Sequence, residues 1–215
     1  MKSVFVFSVN HFAFMNNRPA HILFFAMLAA VFSCGKLEVP ESENAEPGNP
    51  DVSGFEKYVI KKGNHFSEQS HVVALSGNGV NCKVMFDSTA IYTTSAANNQ
   101  GDVNKLIGFS DCNTDHHENS ARLGWAWNGK ELVVYVYAYS NGIRTIRKHS
   151  TVDIKKIFSC SVTAGEKQYY FTVAGKTDSL ARHCSGGTFS RYKLFPYFGG
   201  DETAPHDINI FIKEE

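Results

Sequence analysis

Between Asp111 and Arg122 the chain gathers two aspartates, a histidine pair, a glutamate, two asparagines and an arginine: Asp111, Asn113, Asp115, His116, His117, Glu118, Asn119 and Arg122. An imidazole works as a base near neutral pH, a phenol as an acid, and a guanidinium or amide can neutralise a carboxylate. Such a set suits removal of the proton α to a uronate carboxylate. His116 or His117 would be the base, Tyr135 or Tyr137 the acid, and Arg122 with Asn119 the neutraliser. The same side chains suit recognition of sugar hydroxyls without chemistry. They also suit a plain polar loop whose His and Asn cap turns through local hydrogen bonds.

A second feature is the stripe Tyr135, Tyr137, Tyr139. Residues spaced by two share one face of a strand, so three phenols would lie in a row, each a flat apolar ring with a polar tip. Sugar rings stack on such faces while Arg, Asn, Asp and His bond their hydroxyls. Arg122, His116, His117, Asn119, Asp111 and Tyr197 are therefore grouped with the stripe as ligand-binding candidates. The competing reading is ordinary cross-strand aromatic packing.

Metal chemistry finds less support. His116 and His117 lack the His-x-x-x-His spacing of a zinc site, and no Cys-x-x-Cys occurs. Asp201, Glu202 and Asp207 offer oxygens for calcium but read as a solvated turn. Gly186-Gly187 and Gly199-Gly200 lack the Lys-Ser/Thr that completes a phosphate loop. No metal and no cofactor are expected. With 21 basic and 21 acidic residues, nucleic acid is not an expected partner either.

The elements that must position these groups are strands. From Phe55 onward no amphipathic helix of ten residues is visible, whereas period-two alternation bounded by Gly, Asn, Asp and Ser recurs. Strands are predicted over 82–86, 121–127, 131–140, 143–148, 152–157, 168–173, 192–198 and 207–213. Turns are predicted at Asn128-Gly129, Asn141-Gly142 and Ala174-Gly175. In this register Leu132, Val134, Val136 and Ala138 oppose the tyrosines, and Leu123, Trp125 and Trp127 oppose Arg122. The expectation is one all-β domain at 55–215, an antiparallel β-sandwich or jelly roll.

Ahead of it, residues 1–33 hold seven of the 17 Phe and no acid. Asn16, Asn17, Arg18 and His21 precede the apolar run Ile22 to Phe32, too short to span a bilayer and ended by Ser33-Cys34. Met15 would start a leader of ordinary length. Val31-Phe32-Ser33-Cys34 resembles a bacterial lipobox, which implies cleavage before Cys34 and its lipidation, with the membrane as partner through that anchor. Residues 35–54, with three prolines and five acids, read as an extended tether. An acidic stretch just behind the anchor is similar to the export tags of Bacteroidota surface lipoproteins, which implies display on the outer membrane.

Two further resemblances concern the domain. The Gly-Trp strand Arg122 to Trp127, its hairpin, the Tyr-rich strand, an outer strand Gln168 to Val173 and the segment Leu194 to Gly200 look like concanavalin-type jelly rolls of the laminin-G or lectin kind. Asn104 to Asp111, His116 to Arg122, Pro196 to Gly200 and Ala204 to Asp207 resemble a group of uncharacterised surface lipoproteins of gut Bacteroidota, over roughly 58–213. That group brings no reaction with it. The Arg-x-Glu-x-Arg and Tyr-x-Lys-x-Gly strings of jelly-roll alginate lyases are absent, as is the Glu-x-Asp-x-x-Glu string of jelly-roll hydrolases. Non-catalytic glycan binding at the cell surface is thus the leading expectation, a polysaccharide lyase using His116 or His117 the alternative, and a structural or adhesin subunit the third.

After Cys34 four cysteines remain. Cys82 and Cys160 fall in strands and Cys112 and Cys184 in loops, so pairing within each class is the expectation for an exported chain.

Overall fold

The structure is a computed structural model that describes residues 50–185 and 191–215. The leader, Cys34 and most of the tether lie outside the described residues, as does Gly186-Gly187. What is described is all-β, with two short 3-10 turns and no longer helix. The strands are β1 (Glu56–Ile60), β2 (Gly79–Phe86), β3 (Asn104–Ser110), β4 (Ser120–Trp127), β5 (Leu132–Ser140), β6 (Ile143–Val152), β7 (Phe158–Ala164), β8 (Gln168–Val173), β9 (Lys176–Ala181), β10 (Lys193–Leu194) and β11 (Ile208–Glu214).

They form two antiparallel sheets with jelly-roll connections. The first has the order β1-β11-β2-β7-β8-β9, the second β10-β3-β4-β5-β6. The chain crosses between sheets after β2, β6, β9 and β10. Alternation explains the core between them. Leu132, Val134, Val136 and Ala138 of β5 meet Val80, Cys82, Val84 and Phe86 of β2 and Cys160 and Val162 of β7 in one buried cluster. Trp125 sits at its centre, tilted against Phe86 and edge-on to Tyr92. Burying large aromatic and branched side chains this completely contributes about 1.5–3 kcal/mol each. At the far edge Arg147 of β6 clamps Asp178 of β9 through two hydrogen bonds, 3.1 and 2.6 Å, tying one sheet to the other.

Two predicted strands are corrected. The 152–157 stretch is not a strand: β6 runs on to Val152, Lys155 turns the chain with φ 60°, and pairing resumes at Phe158. The Val152, Ile154 alternation arises because Ile154 packs on the core from a turn. Over 192–198 only Lys193 and Leu194 form strand, because Pro196 has no N–H to give a ladder. The Asn128-Gly129 turn is a four-residue loop in which Asn128 Oδ1 accepts from the N–H groups of Lys130 and Glu131, each at 2.9 Å. Asn141-Gly142 and Ala174-Gly175 are two-residue turns with positive φ at both positions, as a tight hairpin requires.

One of the two cysteine pairs is bonded. Cys112 and Cys184 form a disulfide, joining the loop after β3 to the loop after β9. Cys82 and Cys160 face each other directly across β2 and β7 with sulfurs 2.9 Å apart, but both are buried thiols.

Candidate functional site

The register of the second sheet sets the site. Arg122 pairs with Tyr137, which pairs with Ile146; Ser120 pairs with Tyr139, which pairs with Arg144; Gly124 pairs with both Lys105 and Tyr135. Paired residues project from the same side of a sheet. The odd-numbered tyrosines, Arg122, Lys105 and Arg144 therefore share the face turned away from the core. A bulge between Lys105 and Gly108 brings β3 tight against β4. A Cβ at Gly108 would lie 2.5 Å from Arg122 Cβ, so only glycine fits beside that arginine.

Over this face runs a cleft of about 480 Å³. Its floor is Lys105, Arg122, Tyr137, Tyr139 and Arg144; its walls come from Phe66 to Val72 and from Tyr192 to Tyr197, with His116 and His117 at the rim. The rings interlock. Tyr137 and Tyr139 lie 5.9 Å apart, His117 meets Tyr139 edge-on at 5.4 Å, and Tyr197 stacks on His65 at 5.2 Å. Cations sit over the same rings: Arg122 is 5.4 Å from the Tyr137 centroid, and Lys105 is 5.5 and 5.6 Å from those of Tyr137 and Tyr197. Phe66 and Tyr197 present exposed ring surface at the mouth, 57% and 39% accessible.

The electrostatics are one-sided, since no Asp or Glu lines the cleft among the described residues. Burial, then Arg122 and Arg144, push Lys105 down to about 8. Burial holds the Arg122 guanidinium below its ordinary value, with only weak opposing help from the surrounding phenols and Asp115. Burial, then Arg122 and His117, lower His116, leaving a neutral imidazole whose Nδ1 lies 3.2 Å from the Tyr192 hydroxyl. Burial, then the Tyr139 hydroxyl, raise the Tyr137 phenol.

The sequence candidates separate into two groups. Arg122, Tyr137, Tyr139, His116, His117 and Tyr197 are brought together in the cleft. Tyr135 lies on the same face but does not line it. Asp111 is not at the site: fully buried at the end of β3, it accepts from Arg182 Nε at 2.5 Å, Arg191 Nε at 2.8 Å and the Tyr169 hydroxyl at 3.0 Å. A carboxylate so occupied is structural. Asn119 is also turned inward, its Oδ1 accepting from Asn141 N–H at 3.0 Å and pinning the histidine loop to the β5–β6 turn. It cannot neutralise a ligand in the cleft.

Lys105, Arg144, Tyr192 and the Phe66 and Phe195 walls join the cleft from outside the sequence candidates. For Lys105 and Arg144 the missing signal was register. Their neighbours in space come from other strands, and a bulge stands between Lys105 and the rest of β3. Asp115, His116 and His117 offer three ligand atoms within 4.8 Å of one another, but both Nδ1 atoms face Asp115 and the Arg122 charge opposes a cation there. Of the calcium candidates, Glu202 caps Ser95 and Ala96, while Asp207 holds Lys61 and the Lys62 N–H.

The chain matches no family model and no curated protein. Among solved structures it is similar to an alginate lyase from a Chlorella virus, at 13% identity over 74% of this chain and 82% of that one, TM-score 0.46. It is similar also to a laminarinase catalytic domain from Thermotoga petrophila RKU-1, at 11% identity over 79% of each chain, TM-score 0.46. The alginate lyase AlyC3 gives 13% identity, 75% and 74% coverage and TM-score 0.49. Likeness this slight lends weight to no particular activity.

Proposed function

We propose that this chain is a lipid-anchored protein of the cell surface whose β-sandwich binds a glycan in the cleft over β3 to β6. One observation carries the reading: Tyr137, Tyr139, Tyr197 and Phe195 line one groove together with Lys105, Arg122 and Arg144. Flat rings for the C–H faces of sugars stand beside donors for their hydroxyls, in a groove open at the surface. Anchoring at Cys34 and display on the outer membrane are part of the proposal and rest on the leader and tether sequence. The test is a binding screen of the full chain against plant, algal and host glycans, with Tyr197→Ala alongside. Tyr197 is exposed enough to remove without loss of core, so affinity should fall about tenfold while the melting temperature holds, a stacked ring contributing roughly 1–3 kcal/mol by analogy with base stacking. Binding indifferent to the substitution would count against the groove.

A catalytic reading is favoured by one feature, the neutral His116 imidazole beside Tyr192. Hydrolysis by two carboxylates flanking the bond has no support, because no carboxylate lines the cleft among the described residues. Elimination remains consistent with the residues present. His116 would take the proton from the carbon α to a carboxylate, that electron pair would form the new C=C bond, and the glycosidic C–O bond would break with the leaving oxygen protonated by a cleft phenol. Appearance of an unsaturated-uronate absorbance that is lost in His116→Gln would replace binding with catalysis.

A further inference from the structure

Arg122 is the anomaly of the fold. It is 7% exposed, yet no ion pair or hydrogen bond holds it among the described residues, and its Nε is a buried donor with no partner. Arginines elsewhere in this molecule are not treated so: Arg191 is buried on Asp111, and Arg147 holds Asp178. Burying a guanidinium without a counter-ion costs stability, and leaving a donor unmade adds to it. Asp115, the acid whose field reaches Arg122, is engaged by His116 and His117 instead. Lys105, also without an ion pair among the described residues, stands over the same Tyr137 ring. Arg144 lines the same groove, its charge favoured by the Tyr137 and Tyr139 phenols. Lys105, Arg122 and Arg144 thus line one groove beside Lys193, which pairs with Glu214, and no acid lines it among the described residues.

Resting on the glycan-binding reading, we propose that the ligand is an acidic glycan and that Arg122 receives the carboxylate of a hexuronate residue, with Lys105 and Arg144 flanking it. The planar fork of a guanidinium matches a carboxylate with two parallel hydrogen bonds, and the low exposure of Arg122 strengthens them. The missing counter-ion is then supplied by the ligand, and the stability lost in the free protein is returned on binding. Sulfate esters share the negative charge but not the planar two-oxygen edge.

The experiment compares the full chain binding polygalacturonate, alginate and hyaluronan with the carboxyl-reduced, neutral form of each, and with dextran sulfate. At least one uronan should bind about tenfold or more tighter than its reduced form, and salt should weaken that binding. Arg122→Met should abolish the preference without lowering the melting temperature, because an apolar side chain of similar length relieves the buried charge. A merely structural arginine would lower it. Reduced forms bound as tightly as the acids would overturn the acidic-ligand inference and leave glycan binding standing. Dextran sulfate bound while no uronan binds would overturn the carboxylate assignment. No polymer bound, with free glucuronate leaving the melting temperature unchanged, would overturn both readings.

Discussion

At the scale of single residues, the molecule keeps two kinds of buried charge apart. Asp111 is fully satisfied. Burial would raise its carboxyl, but hydrogen bonds from Arg182 and Arg191 and the Cys112 N–H overcome this and hold it below the ordinary carboxylate range. Its folded value lying below the unfolded one, Asp111 contributes stability above about pH 4 that is lost as pH falls through the folded value. Asp111→Asn should therefore cost about 3–5 kcal/mol, the usual result of breaking a buried pair, and should flatten the acid limb of a melting-temperature profile. A loss under about 1 kcal/mol would contradict the structural assignment. Lys105 behaves oppositely. Facing Arg122, Arg144, Tyr137 and Tyr197, with Asp102 the acid that opposes its shift, it is pushed down to about 8. Its charge costs the fold stability below that value, and the cost disappears as pH rises from about 8 toward about 10.4. Affinity for an acidic glycan should accordingly fall as pH rises through about 8, and Lys105→Arg should remove that step. Titration calorimetry across pH 6.5 to 9.5, a range chosen to span roughly the ordinary histidine and lowered lysine values, reads it directly.

At the scale of elements, the strands of the second sheet order the floor and two loops order the rim. The histidine loop is tied to the segment after β9 by the Cys112–Cys184 disulfide and by Asp111, which grips Arg182 and Arg191 on either side of it. Arg191 leads straight into Tyr192, so the same knot sets the Tyr192 hydroxyl against His116. Reduction should cost about 2–4 kcal/mol and weaken ligand binding together with stability. Alkylation of the denatured, unreduced domain should label Cys82 and Cys160 and leave Cys112 and Cys184 unlabelled. Labelling of none would mean that both pairs are closed. Much of this was legible in the chain, and the limits are physical. Period two sufficed for the common face of Tyr137, Tyr139 and Arg122, because β4 and β5 are regular and joined by a short loop. It failed for β3, where a bulge puts the adjacent Leu106 and Ile107 both into buried positions. It could not show that Asp111 turns inward, since its partners Arg182 and Arg191 lie some seventy to eighty positions away.

At the scale of the whole molecule, the proposed binding face lies on the sheet that holds neither β1 nor β11. The segment before β1 is thus attached to the other sheet. If Cys34 carries lipid, the chain should partition with membranes and Cys34→Ala should release it or leave it uncleaved; soluble, processed product from both forms would remove the anchor from the account. Stable attachment calls for the two chains of a diacylated cysteine, since one holds only marginally. The central claim, that the groove over β3 to β6 receives a glycan, is tested most directly by mapping ligand-induced chemical-shift changes on the full chain with a bound oligosaccharide from the screen. The perturbed signals should gather on His116, His117, Tyr139, Tyr192, Tyr197 and the Arg122 side chain. Shifts clustered on the outer face of the β1-β11-β2-β7-β8-β9 sheet, with the groove silent, would contradict it.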